Sequence, residues 1–350
     1  MLTRLRRDHR ALTLLVLLAV LLVCLLFAAA LGAVAISPLD AVKMTLNKIG
    51  ITHFAATWPD SAETILFLVR LPRVIAGALV GAALAAAGVL FQGLLRNPMA
   101  DPYIIGTSAG AAFGATIAMM LPVSVTFLSF GLLPITAFFG ALGAVLLAYN
   151  LARVGGKTPV VSMLLAGFAV AAMLTAVMFF MVSLSGRTEL LHNVYSFLMG
   201  NISVSGWSRL IVIAPLIVAG VVAARLLAFR LNAFALGEEG AAYLGIDVER
   251  DKLVMLGLGS LLTAAAVCIS GLVGFVGLVA PHAVRLVFGP DHRLLVPAAA
   301  LSGASFVVLA DLLARTMLAP REIPLGILTA LIGAPFFVYL LRRTRREYAF

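Results

Sequence analysis

Two arginines, Arg70 and Arg73, bracket Leu71-Pro72 where an apolar run begins, and Arg315 follows Asp311 by four residues near the end of another. A guanidinium offers five N–H donors in a planar fork, which suits carboxylates. Charge at a membrane boundary is costly and carries a partner or a task. The chemistry expected of these residues is therefore recognition of something acidic. For Arg315 there is also a local alternative, a pair with Asp311, because residues four apart share a helix face.

Other motifs can be weighed the same way. Gly155-Gly156-Lys157-Thr158 has the ending of a phosphate-binding loop, but that loop needs a glycine where Leu151 stands and a strand before it. We read it as a turn, so no nucleotide site is expected in this chain. His282 and His292 flank a turn, yet no set of three or four Cys, His or acidic residues has metal-ligand spacing. Nucleophile elbows, zinc-hydrolase motifs and paired carboxylates at one depth are missing too, which leaves little room for an enzyme. Cys24 and Cys268 lie in apolar runs and read as packing residues.

What must position these residues is a stack of apolar helices. The 350 residues are 63% hydrophobic and 11% charged, with a mean hydropathy of +1.12. Crossing about 30 Å of hydrocarbon takes about 20 apolar residues. Ten spans are expected, at roughly 11–36, 66–94, 103–121, 127–150, 159–183, 206–229, 252–270, 272–287, 294–318 and 324–341. The first is too long for a signal-peptide core and reads as an uncleaved span. With Met1 in the cytoplasm, 17 of the 25 Lys and Arg fall in inner loops, Arg342, Arg343, Arg345 and Arg346 among them. That is the positive-inside bias. The net charge of +10 then reports topology and anionic lipid, not nucleic acid. No linker divides the chain, so residues 1–350 are expected to form a single all-α membrane domain.

Small residues recur four apart at Gly77/Gly81 and Gly106/Gly110/Gly114, a pattern that lets helices approach closely. Pro38-Leu39-Asp40 looks like the start of a short surface helix. In Leu95-Arg96-Asn97-Pro98-Met99-Ala100-Asp101-Pro102, Pro98 lacks a backbone donor and disfavours helix at Asn97, so a span should stop there. Asn97 and Met99 are then free to line a path. The loop 231–251 carries Phe234, Leu236, Tyr243 and Leu244, with Gly240 and Gly245 bracketing a possible short helix. Exposed apolar side chains of this kind suit docking onto a cytoplasmic partner.

Taken in order, these stretches resemble the permease subunits of type II ABC importers for ferric siderophores, haem and cobalamin. The similarity runs along nearly the whole chain. It is carried by Arg70-Leu71-Pro72-Arg73, Gly88-x-x-x-Gln92, Asn97-Pro98-Met99-Ala100-Asp101-Pro102 and Gly106-Thr107-Ser108-Ala109-Gly110. It continues through Gly274 to His282, Asp291-His292-Arg293, Ala310-Asp311-x-x-Ala314-Arg315, Glu322-Ile323-Pro324-Leu325-Gly326 and Gly333-Ala334-Pro335-Phe336-Phe337.

The resemblance implies a homodimer in the inner membrane of a bacterium or archaeon, with both termini cytoplasmic. It implies two ATP-binding subunits that carry ATP and magnesium, and no cofactor or metal on this chain. A periplasmic or lipid-anchored binding protein would dock through Arg70, Arg73 and Arg315. The cytoplasmic gate would use Asn97 and Met99, with a second constriction at Val160 and Val161. The coupling helix would fall at Leu236, Gly240, Ala241, Ala242, Leu244 and Gly245. An iron(III)–siderophore or related iron complex is the expected cargo, with cobalamin or haem as alternatives. From another class, an ion-coupled secondary transporter would need buried acids near the midplane, and Asp311 is the only candidate.

Overall fold

The computed structural model describes residues 2–32, 34, 36–55, 58–123, 126–204 and 206–345. Met1 and Arg346 of the topology argument lie outside them.

The chain folds as helices joined by short links. They are α1 (Leu2–Ala30), α2 (Pro38–Ile49), α3 (Asp60–Thr64), α4 (Leu71–Leu94), α5 (Thr107–Met120), α6 (Leu132–Ala152), α7 (Val160–Ser185), α8 (Thr188–Met199), α9 (Ser208–Leu226), α10 (Ala228–Phe234), α11 (Glu238–Tyr243), α12 (Val248–Ser270), α13 (Val276–Phe288), α14 (His292–Thr316) and α15 (Leu325–Arg345). A π-helical stretch, Ile65–Arg70, joins α3 to α4. Among the described residues, seven helices are long and apolar enough to cross a membrane, and α5, α13 and much of α15 are shorter apolar helices. These ten occupy the ten expected spans. The first ends at Ala30, not near residue 36, because its last carbonyls are taken by side chains described below. The expected surface helix is α2, opened by Pro38 at its first turn.

α4, α12 and α14 form the centre, and α1, α6, α7 and α9 lie outside with few of their side chains fully buried. Small residues set the central crossings. A Cβ at Gly88 would lie 1.9 Å from the carbonyl oxygen of Gly277, and one at Gly81 2.1 Å from that of Gly303. Backbones therefore touch where α4 crosses α13 and α14. The Gly110 face packs the same way against Gly140 of α6. Gly155 and Gly156 sit at the tip of a tight turn closed by Val154 and Lys157, both at positive φ. Such a turn demands glycine, so Gly-Gly here makes a hairpin and not a phosphate cradle.

Candidate functional site

One end of the bundle is organised by arginines. The Arg70 side chain is only 5% exposed and donates to the carbonyls of Ala29 (3.1 Å), Ala30 (2.6 Å) and Val34. Arg315 donates to the carbonyl of Ala28 at 2.9 Å and to Asp311 Oδ2 at 2.9 Å. A helix leaves its last four carbonyls without intrahelical partners. In α1 the Leu31 N–H takes Phe27, Arg315 takes Ala28, and Arg70 takes Ala29 and Ala30. The two arginines thus cap the end of α1, and the Ile36 N–H adds a further bond to Ala30 at 3.3 Å.

Arg70 and Arg315, expected to dock a binding protein, are buried here and bonded within the chain. Arg73 differs. It holds Asp311 at 3.0 Å and grips Glu322 through two parallel bonds of 2.9 Å each. Glu322 is well exposed, so this fork opens on the surface at that end of the bundle. Glu322 and Asn201, which also meets Arg73 at 3.4 Å, were not singled out as partners from sequence. Their signals were the Glu322-Ile323-Pro324 stretch and the polar residues of the 184–205 connection.

The other end carries the turn after α4. Asn97 and Met99 do lie at a helix end, with Asn97 exposed and Met99 half-buried. Asn97 Oδ1 accepts the Met99 N–H at 2.9 Å, and Asp101 Oδ1 accepts the Tyr103 N–H at 2.8 Å. Two side-chain-closed turns in tandem fix the segment. Asn97 is therefore only half free, because its carbonyl is spent on the turn. The Tyr103 hydroxyl donates to the Val273 carbonyl at 3.1 Å and ties the segment to the start of α13. Packing around Asp101 pushes its carboxyl up to about 6.

Val160 and Val161 open α7, and both line a cavity of about 320 Å³ shared with Arg96, Lys157, Pro159, Glu238, Glu249 and Lys252. The 231–251 loop is mostly structured, as the ends of α10, all of α11 and the start of α12. Leu236, Tyr243 and Leu244 are exposed, Tyr243 at 91%. Phe234 is not, at 1%, because it packs into the core. Ala241, expected at the coupling surface, is fully buried against the chain's own core. Gly240 lies inside α11, and Gly237, at φ +97°, precedes the helix instead. Ala242 and Gly245 are exposed beside Tyr243. Leu236, Gly240, Ala242, Tyr243, Leu244 and Gly245 are thus accessible residues of α11 and its flanks.

At the same end, Asp291 caps α14 and receives Arg10 of α1 at 2.6 Å and the Asn232 amide at 2.9 Å. Burial pushes its carboxyl up, but the Asn232 amide, the Arg293 N–H and the two nearby arginines outweigh it and hold it below the usual range. Among the described residues, no group of three or more His, Cys or acidic side chains is placed to hold a metal ion.

Known proteins share this arrangement. A solved metal-chelate type ABC transporter in an inward-facing conformation superposes with a TM-score of 0.82 at 30% identity, covering 94% of this chain and 98% of that one. The cobalamin import system permease protein BtuC of Halobacterium salinarum is 48% identical over 284 residues, 81% of this chain and 75% of that protein. The Fe(3+)-citrate import system permease protein YfmE of Bacillus subtilis is 36% identical over 345 residues, 98% of each. The FecCD transport family model matches residues 20–343. With ten apolar helices around a glycine-packed centre, the chain is a multi-pass membrane permease and belongs to the FecCD transport family.

Proposed function

We propose that two copies of this chain form the membrane path of an ATP-driven importer, with both termini in the cytoplasm. An extracytoplasmic binding protein delivers the cargo, and separate subunits bind and hydrolyse ATP. The observation that carries this reading is α11. It is a six-residue helix joined to α12 through the Glu238–Lys252 ion pair, with apolar Tyr243 and the flanking Leu236 and Leu244 turned outward at the gate end of the bundle. A secondary transporter has no use for such a surface. Asp311, the acid such a transporter would protonate, is already neutralised by Arg73 and Arg315.

The cargo class we propose is a metal chelate, an iron(III)–siderophore or related iron complex. The end-to-end similarity to an Fe(3+)-citrate permease supports it. Cobalamin is the second reading, favoured by the 48% identity to a cobalamin permease. The test is uptake into proteoliposomes holding the permease, its ATPase and its binding protein, with ferric siderophore, cobalamin and haem compared. Uptake should require ATP and survive an ionophore. Uptake abolished by the ionophore with ATP present would favour ion coupling instead.

A further inference from the structure

Lys252, near the start of α12, is 4% exposed as a residue, and its ammonium has spent all three of its protons. Nζ donates to Glu238 Oε2 at 2.7 Å, to Glu249 Oε1 at 3.0 Å and to the Thr158 carbonyl at 3.2 Å. Glu249 uses its other oxygen, Oε2, to accept the Thr158 N–H at 2.9 Å. Both backbone groups of Thr158 are therefore held by charged side chains of α12. Thr158 immediately precedes Pro159 and the first residues of α7, Val160 and Val161. Glu238 is the first residue of α11. One buried ammonium thus joins the helix that faces the cytoplasmic partner to the residue that aims α7.

The surroundings give this junction room to change. The cavity of about 320 Å³ is lined by Val160 and Val161 together with Glu238, Glu249, Lys252, Arg96 and Lys157. A buried ion cluster is weak evidence for stability, because desolvation offsets most of the attraction. It is better suited to holding elements in one register. When Glu238 moves with α11, Lys252 must follow it or leave Glu238 uncompensated, and Thr158 is bound to Lys252.

We propose that Lys252 is a positioning residue that couples α11 to the start of α7, so that a shift of the docked helix moves Val160 and Val161. This rests on the importer reading above. Lys252 touches neither cargo nor ATPase and acts only through Glu238, Glu249 and Thr158.

The test uses the whole complex of permease, ATPase and binding protein in proteoliposomes, with ATP hydrolysis and cargo uptake measured on the same preparation. In Lys252→Met the complex should assemble and hydrolyse ATP, while cargo moved per ATP falls about fivefold or more, the lower end of ordinary coupling between sites. Lys252→Arg should restore most of the ratio, because it keeps the charge and the donors. Glu249→Gln, which loosens the Thr158 clamp but leaves the Lys252–Glu238 pair, should lower the ratio too, and it supplies the result if Lys252→Met does not fold. An unchanged ratio in the folded variants would overturn the proposal. Absence of ATP-dependent uptake in the unaltered complex would instead overturn the importer reading.

Discussion

At the scale of single residues, the arginines divide by what they touch. Arg70 takes three carbonyls, so its loss leaves the end of α1 uncapped inside the bundle. Hydrogen bonds to a charged group contribute about 1.5–3 kcal/mol each, and Arg70→Met should cost at least one of them in stability. We expect a lower thermal midpoint in detergent for Arg70→Met, with affinity for the binding protein unchanged once matched for folded protein. A loss of affinity at full folding would return Arg70 to the docking surface. Asp101 offers a second residue-level prediction. Its carboxyl, ordinarily near 3.8, is pushed up to about 6 in the folded protein, so the folded state holds the proton more tightly than the unfolded one. That contribution is complete below about pH 4 and is lost as the pH climbs through about 6. Asp101→Asn keeps an acceptor for the Tyr103 N–H and should flatten this part of the stability–pH curve, read by thermal unfolding between pH 4 and 7. The sequence made the arginines legible as carboxylate seekers and offered Asp311 as the partner of Arg315. It did not reveal that Arg70 caps a helix 40 residues away, because carbonyl acceptors leave no side-chain pattern.

Among the elements, the ten helices were legible because each needs a long apolar run, and that signal survives without knowing any neighbour. Which helices form the centre was less legible. Outer helices such as α7 are as apolar as inner ones, since lipid accepts what a core accepts. Glycine spacing was the clue to contact, and the structure pairs it with particular partners: Gly88 with Gly277, Gly81 with Gly303, Gly110 with Gly140. Apolar association offers little drive between helices in lipid, so close backbone packing must hold them. Gly88→Leu would place carbon inside the space of the Gly277 carbonyl and should separate α4 from α13. We expect loss of the monodisperse peak in detergent chromatography for Gly88→Leu. Gly143→Leu is the control, because a Cβ there meets nothing within 4 Å. Equal behaviour of the two variants would mean that the α4–α13 crossing is not limiting. α1 shows the other way of holding an outer helix. It is clamped at both ends by charge, through Arg10 to Asp291 at one and through Arg70 and Arg315 at the other, with exposed apolar side chains between.

For the whole molecule, the reading we propose needs a second copy to complete the path. α7 leaves Val161, Leu165 and Phe168 exposed on one face near its start, and Val177, Phe180 and Leu184 exposed on another face nearer its end. Val161 and the Asn97–Met99 turn stand at the same end of the bundle as α11, on the cytoplasmic side of the topology we propose. Two copies related by a two-fold axis would bring identical residues face to face. A constriction made from Met99 and Val161 pairs can open by a small rotation of the copies, and methionine reshapes at little cost. A path of this kind changes state only if ATP binding favours one arrangement over the other. Cysteines placed singly at positions 97, 99 and 161 should therefore cross-link between copies in one nucleotide state and less so in another. The native Cys24 and Cys268 are both buried and supply little background. Asn97 is held by its own turn, so position 161, on the first turn of the helix that Thr158 aims, should show the larger change between states. If position 161 cross-links equally with and without nucleotide while positions 97 and 99 vary, the moving part of the gate is the turn after α4, and α7 is a fixed wall.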